Sequence, residues 1–253
     1  MEAVSKSFGG LTAINEVGFG LENGELVSLI GPNGAGKTTM LNVIMGVYPV
    51  DRGKIFFKGQ QIESLPCYAR SGLGISRTFQ LLKLFNGLTA LDNVKIGAHH
   101  LMTQGIISPF FQRTLVKREE TEVAHRAMEL VHFVGLENCA NSKVQNLSYG
   151  QQKFVGLARA LAGEPDLLLL DEVGSGLNTY ETDVLKEKLR VIHKKGITIL
   201  LVEHDMHLVM DISDRIIVLD QGSKISEGSP RMISADPKVI EVYLGKSYEL
   251  AKG

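Results

Sequence analysis

SLIGPNGAGKTTML, residues Ser28 to Leu41, sets three glycines, a proline and a lysine directly behind an apolar run. Within it, Gly31, Pro32, Asn33, Gly34, Ala35, Gly36, Lys37 and Thr38 fit the pattern G-x-x-x-x-G-K-[ST]. Glycines there let successive backbone N–H groups converge on phosphate oxygens. A helix opening near Lys37 turns its positive dipole end toward the same anion. Lys37 adds a mobile full charge at the β and γ phosphates, the Thr38 hydroxyl can ligate Mg²⁺, and Thr39 offers one more phosphate contact. The competing reading is a turn that merely needs glycine. An apolar strand before the loop and helical spacing from Thr38 to Val47 after it favour the phosphate cradle.

Bulk properties narrow the partners. The chain has 253 residues, 44% hydrophobic and 22% charged, as in an ordinary globular protein. A net charge of −1 supplies no basic field for nucleic acid or anionic lipid. Two cysteines, Cys67 and Cys139, give no disulfide framework and suit a reducing compartment. The longest apolar run, Ile197 to Val202, falls far short of the roughly 20 residues of a membrane helix. Any membrane role therefore runs through a partner.

LTAINEVGFGLENGELVSLIG reads as two strands joined in a hairpin at Asn23-Gly24. KIFFKGQQI and RIIVLDQGSKISEG read as further hairpins. DLLLL (166–170) and ITILLV (197–202) are continuous apolar runs, suited to strands covered on both faces. Between them Thr179 to Lys195 is amphipathic, with Tyr180, Val184, Leu185, Val191 and Ile192 on or near one face and Gly196 as its stop. Strand, helix and strand make a βαβ unit. From about Leu88 to Gly163 the spacing is helical, as in Val123, Ala127, Leu130, Val131 and Val134. The expected division is a nucleotide-binding core of residues 1–87 and 164–253, with an inserted helical subdomain at 88–163.

A triphosphate site needs a carboxylate to hold its metal. LLLLDE places Asp171 at the end of a buried strand, with Glu172 next to orient or deprotonate a water. A strand ending in two solvated acids is the plain alternative, and the nearby phosphate loop argues against it. In NLSYGQQKFVGLARALAG, Ser148 and Gln151 have capping-box spacing, so Ser148 opens a helix running to about Ala162. With Gly150, that helix start offers a second anion site, although an ordinary well-capped helix explains it equally on physical grounds alone.

The order of the Gly31–Thr39 loop, Gln80 in RTFQ, LSYGQQ, LLLLDE and His204 resembles the ATP-binding cassette (ABC) ATPases along essentially the whole chain. The resemblance implies an α/β fold: a P-loop NTPase (RecA-like) core with an antiparallel β subdomain and an inserted α-helical subdomain. It implies ATP and Mg²⁺ as ligands. Phe8 would stack on adenine, a core position being its alternative. Gln80 would contact Mg²⁺ or water and sense a membrane partner, and His204 would contact the γ-phosphate. Ser148, Gly150 and Gln151 would close over a nucleotide held by a second ATPase subunit, identical or different. The two anion-binding helix starts would then serve different halves of a dimer.

Three positions depart from the common family pattern: Tyr149 for glycine, Val173 for proline and Asn178 for aspartate. The first strand also opens a few residues late, which leaves the edge of the antiparallel sheet undefined. Leu81, Leu82, Leu84 and Phe85 read as core, with one or two of them free to line a groove for a permease helix. GISRTFQLLKLFNGLTALDNV, the stretch from His99 to Lys117 and SYGQQK look like the ATPase subunit of branched-chain amino-acid importers. DPKVIEVYLG is shared with urea-import and lipopolysaccharide-export ATPases. The importer reading implies a cytoplasmic subunit, peripheral on the inner face of the cell membrane, bound to permeases fed by a solute-binding protein. A soluble ABC protein acting on ribosomes or DNA would call for twin cassettes or long coiled-coil insertions, and a phosphate-loop kinase for an acceptor pocket.

Overall fold

The computed structural model describes residues 1–78, 84–98 and 113–250. It opens with strands β1 (Glu2–Phe8) and β2 (Leu11–Val17), followed by β3 (Leu26–Ile30) and helix α1 (Lys37–Met45). Short strands β4 (Arg52–Lys54), β5 (Phe56–Phe57) and β6 (Gln60–Gln61) lead to α2 (Cys67–Gly72) and β7 (Ile75–Arg77). Helices α3 (Ala90–Gly97), α4 (Arg113–Phe133) and α5 (Tyr149–Leu161) come next. The chain then alternates through β8 (Leu167–Asp171), α6 (Thr179–Lys194), β9 (Thr198–Val202), α7 (Met206–Ile212) and β10 (Arg215–Asp220). It ends with β11 (Ser223–Gly228), α8 (Pro230–Ser234) and α9 (Pro237–Leu250).

The main sheet runs β11-β10-β3-β9-β8-β7, parallel except for β11. All residues of β3, β8 and β9 are buried, which is why their sequences are mostly apolar, with only Ser28, Asp171 and Thr198 polar. Alternation along them still divides two cores. Leu168, Leu170, Ile199 and Leu201 face one that includes residues of α3, α4, α5 and α6. Leu167, Leu169, Leu200 and Val202 face another that includes residues of α1, β1 and β2. Successive strand side chains point to opposite faces, so one sheet seats a helical layer on one side and α1 on the other.

Several expectations need correction. Gly24 does have φ +74°, but β2 and β3 form no hairpin. β2 joins the small antiparallel sheet β2-β1-β4, whereas β3 pairs in parallel with β9 and β10. A strand buried at every position needs covered neighbours on both edges, which the half-exposed β2 does not offer. β1 itself is the central strand of that small sheet. On α6 the buried stripe is Leu185, Leu189 and Ile192. Tyr180 (77% exposed) and Val191 (40%) fall outside it, because at about 100° per residue both lie more than 90° around the helix. Phe85 is exposed rather than core, while Leu84 packs against the helical-side core. Leu81 and Leu82 lie outside the described residues. The hairpins at Lys58-Gly59 and Gln221-Gly222 form as read, with positive φ at all four residues.

One buried charge closes the lower end of α1. Arg70, 1% exposed, donates from Nη1 to the carbonyls of Val43 and Ile44 at 2.7 Å each. Its Nε and Nη2 donate to Leu65 and Glu63 carbonyls at 2.9 Å. The guanidinium thus satisfies the orphan carbonyls and negative dipole end of the helix whose other end carries the glycine loop. Arg70→Met should lower stability by about 3 kcal/mol, read as a reduced urea midpoint at unchanged slope, with Arg70→Lys recovering only part. A parental midpoint in Arg70→Met would show that these carbonyls are satisfied otherwise.

Candidate functional site

The carboxyl ends of β3, β8 and β9 lie side by side, where a parallel sheet opens its crevice. β3 turns into the loop through Gly31, whose φ is +149° and where a Cβ would lie 2.1 Å from the Leu219 carbonyl oxygen. Gly36 is equally constrained: φ is +99°, and a Cβ would meet Ala13 O at 2.4 Å. Gly34 instead faces open space. Gly36 caps α1 without any side-chain hydrogen bond, so the first-turn amides have no side-chain cap competing for them.

Lys37 is 8% exposed, its ammonium donating to Gly31 O at 2.7 Å and Pro32 O at 2.9 Å. Burial pushes its pKa down, and the carboxylates of Glu172 and Asp171 oppose that shift. Thr38 Oγ1 lies 3.4 Å from Asp171 Oδ1. The second Asp171 oxygen is held by Arg77 Nη2 at 2.6 Å, both side chains being almost wholly buried. Arg77 Nη1 in turn donates to Asn42 Oδ1 on α1 at 2.6 Å. Arg77 therefore locks one carboxylate oxygen and leaves the other aimed at Thr38.

Glu172 adopts φ +49°, a costly conformation for a residue with a Cβ. Its N–H donates to Val202 O at 2.8 Å, and its carbonyl accepts from Ser175 N at 3.2 Å and Lys153 Nζ at 2.8 Å. Glu203, 1% exposed, directly follows the neighbouring β9 and accepts from Gly174 N at 2.6 Å and His204 N at 3.3 Å. His204 itself is largely exposed.

Lys37, Thr38, Glu172 and His204 border a cleft of about 1040 Å³, with Asp171 behind Thr38. Phe8, the loop from Asn33 to Thr39, Glu172 and His204 line it. Phe8 is 42% exposed and meets Tyr48 edge-on at 5.0 Å, so it is a cleft-wall ring and not a core residue. Hard oxygen donors from Thr38 and Asp171 suit Mg²⁺, which takes few protein ligands and shares its shell with phosphates and water. Among the described residues no group of three or more His, Cys, Asp or Glu side chains forms a metal cage. Gln80 lies outside the described residues.

Ser148, Gly150 and Gln151 do not line this cleft. The capping box is present: Ser148 N donates to Gln151 Oε1 at 2.9 Å and Gln151 N to Ser148 Oγ at 3.2 Å. Asn178 caps α6 likewise, accepting from Glu181 N at 2.9 Å, and Val173 is buried. Reading the sequence missed Arg77, Lys153 and Glu203. Glu203 carried a usable signal, since ILLVE ends an apolar strand in an acid as LLLLD does.

A family model described as "ABC transporter" matches residues 14–175, and one described as "Branched-chain amino acid ATP-binding cassette transporter" matches residues 223–249. The chain is 41% identical over 241 residues to the high-affinity branched-chain amino acid transport ATP-binding protein LivG of Escherichia coli, covering 95% of this chain and 94% of that protein. It superposes with a TM-score of 0.83 at 31% identity on the ADP conformation of MJ1267, an ATP-binding cassette of an ABC transporter, covering 96% and 97% of the two chains. A dimeric post-hydrolysis structure of the cassette MJ0796 bound to ADP and Pi gives 0.78 at 29% identity, covering 91% and 97%.

Glu203 offers a pH test of this geometry. Burial is the leading cause holding its carboxyl above the ordinary range, against two amide donors that favour ionisation. The folded chain thus keeps this proton to higher pH than the unfolded chain. The stability so gained is full below the unfolded pKa, about 4.3, and is lost as pH rises through the folded value. Relative to Glu203→Gln, the parent should lose stability as pH rises above the unfolded value, measured by urea unfolding. Parallel pH profiles for the two proteins would contradict this.

Proposed function

The chain belongs to the ABC transporter ATP-binding proteins, and from that premise we propose that it is the ATP-hydrolysing subunit of an importer for branched-chain amino acids. The observation that carries the chemistry is the meeting of Lys37, Thr38, Glu172 and His204 around one cleft at the sheet's carboxyl edge, with Asp171 against Thr38. The amino-acid assignment draws on the LivG likeness and the C-terminal match at residues 223–249.

In this reading Phe8 stacks on adenine, and the backbone amides from Asn33 to Thr39 receive the phosphates. The Lys37 ammonium leaves the Gly31 and Pro32 carbonyls for the β and γ phosphates. Thr38, Asp171 and Gln80 hold Mg²⁺, which supplies charge neutralisation across the phosphates. Glu172 accepts the proton of the attacking water, and His204 donates a hydrogen bond to the γ-phosphate. Arg77 stays on the far oxygen of Asp171 and keeps the near one in place.

Ser148, Gly150 and Gln151 then serve a second nucleotide, held by another ATPase subunit, identical or different. The γ-phosphate bridges both subunits, so binding closes the dimer and cleavage reopens it. Residues 88–163 act as the helical subdomain that follows the permeases, with the exposed Phe85 at its border as a contact. No helix among the described residues is long and apolar enough to cross a membrane. We place the subunit on the cytoplasmic side of the membrane, held by permeases that a solute-binding protein feeds, with no nucleic acid involved.

Glu172→Gln should bind ATP, lose hydrolysis by about 100-fold or more, and accumulate a closed dimer, read by phosphate release and size-exclusion chromatography. Near-parental turnover would remove Glu172 from this role. Loss of leucine uptake on adding the variant to the assembled importer, with uptake of unrelated solutes intact, would support the amino-acid assignment. No effect on leucine uptake would contradict it.

A further inference from the structure

We propose that Lys153 is a positioning residue that ties the start of α5 to the backbone of Glu172 in the same chain. This rests on the reading of Glu172 as the water-activating base, and deepens it.

Lys153 is 7% exposed, and its ammonium donates to the Glu172 carbonyl at 2.8 Å. The same ammonium passes 5.4 Å from the centroid of the Tyr149 ring, one helical turn earlier. A buried ammonium is expensive, and a methionine of similar length would fill the space at less cost if packing were the only need. A cation is also least welcome near a helix N-terminus. Retaining a charge here makes sense if it holds something in place. What it holds is the carbonyl of a residue at φ +49°, a conformation that its surroundings must enforce.

Two other contacts join the same segments. A Cβ on Gly176 would meet the Tyr149 ring at 2.8 Å, so the ring packs directly on the loop after Glu172. A Cβ on Gly150 would meet Glu181 Oε1 at 2.2 Å, and Glu181 Oε2 accepts the N–H of Asn178 at the end of that loop. The first turn of α5 and residues 172–181 therefore form one packed unit. Tyr149, which departs from the family's glycine, supplies the ring that fills it.

The consequence is a link between two nucleotides. In the dimer proposed above, the start of α5 touches the partner's nucleotide while Glu172 serves this chain's own. Engagement at the first surface would be carried to the Glu172 backbone through Lys153, a coupling between sites in the thermodynamic sense.

The test compares Lys153→Met and Lys153→Arg in the full chain. Lys153→Met should bind a fluorescent ATP analogue within about twofold of the parent, with kcat lower by about tenfold and KM little changed. Combined with Glu172→Gln it should still form the ATP-dependent dimer, and Lys153→Arg should restore kcat well above the Met value. A parental kcat in Lys153→Met would overturn the proposal. So would equal kcat in the Met and Arg variants, or loss of nucleotide binding and thermal stability together, which would make Lys153 a folding prop. If Glu172→Gln alone turns over near the parental rate, the reading of Glu172 fails by itself, independently of the Lys153 comparison.

Discussion

Arg77 and Asp171 meet at 2.6 Å with almost no access to solvent, and the cleft is organised around that pair. Burying two opposite charges contributes little net stability, because the desolvation cost roughly cancels their attraction. What the pair does provide is direction. One carboxylate oxygen is held by Arg77, and the other faces Thr38 from the end of a buried strand. Asn42, gripping the other arm of Arg77, extends the brace into α1. The glycine loop, the first turn of that helix and the end of β8 are thereby fixed against one another before any nucleotide arrives, which is the preorganisation that phosphoryl chemistry requires.

The crevice depends equally on strand order. β3 sits between β9 and β10, with β8 one place further along, so three strand ends deliver the loop, the acids and the histidine to one edge. Glu203 and Glu172 reinforce the arrangement across neighbouring strands. Glu203 receives the Gly174 amide, and Glu172 N–H is bound by Val202 O, so the loop after β8 hangs from the end of β9. The capped start of α5, at Ser148, lies outside this crevice. In the proposed reading, a single copy carries two phosphate-reading surfaces that do not share a cavity, an arrangement in keeping with the dimeric cassette among its structural relatives.

Much of this was legible because it is local. The glycine loop, the capping box at Ser148, the buried runs of β8 and β9 and the two turns at Lys58 and Gln221 are each fixed by residues close in sequence. The errors came where partners are distant. Asn23-Gly24 has the chemistry of a hairpin turn, yet β3 is claimed by β9 and β10, more than 160 residues away in sequence. β7 is three residues long and gives no periodicity to detect. Arg77 and Lys153 look like ordinary cations until the fold brings them to Asp171 and to the Glu172 carbonyl. Tyr180 and Val191 are apolar enough to join the buried stripe of α6, but their helical angle turns them away from it.

The most direct measurement is the Mg²⁺ dependence of ATP affinity in the parent and in Asp171→Asn, by calorimetric titration with and without the metal. If Asp171 and Thr38 hold the metal of a bound metal–nucleotide complex, Mg²⁺ will strengthen ATP binding in the parent. That gain will vanish in Asp171→Asn, while metal-free binding persists. An equal gain from Mg²⁺ in both proteins would mean that the braced carboxylate is not where the metal sits, and the reading of the cleft would fall with it.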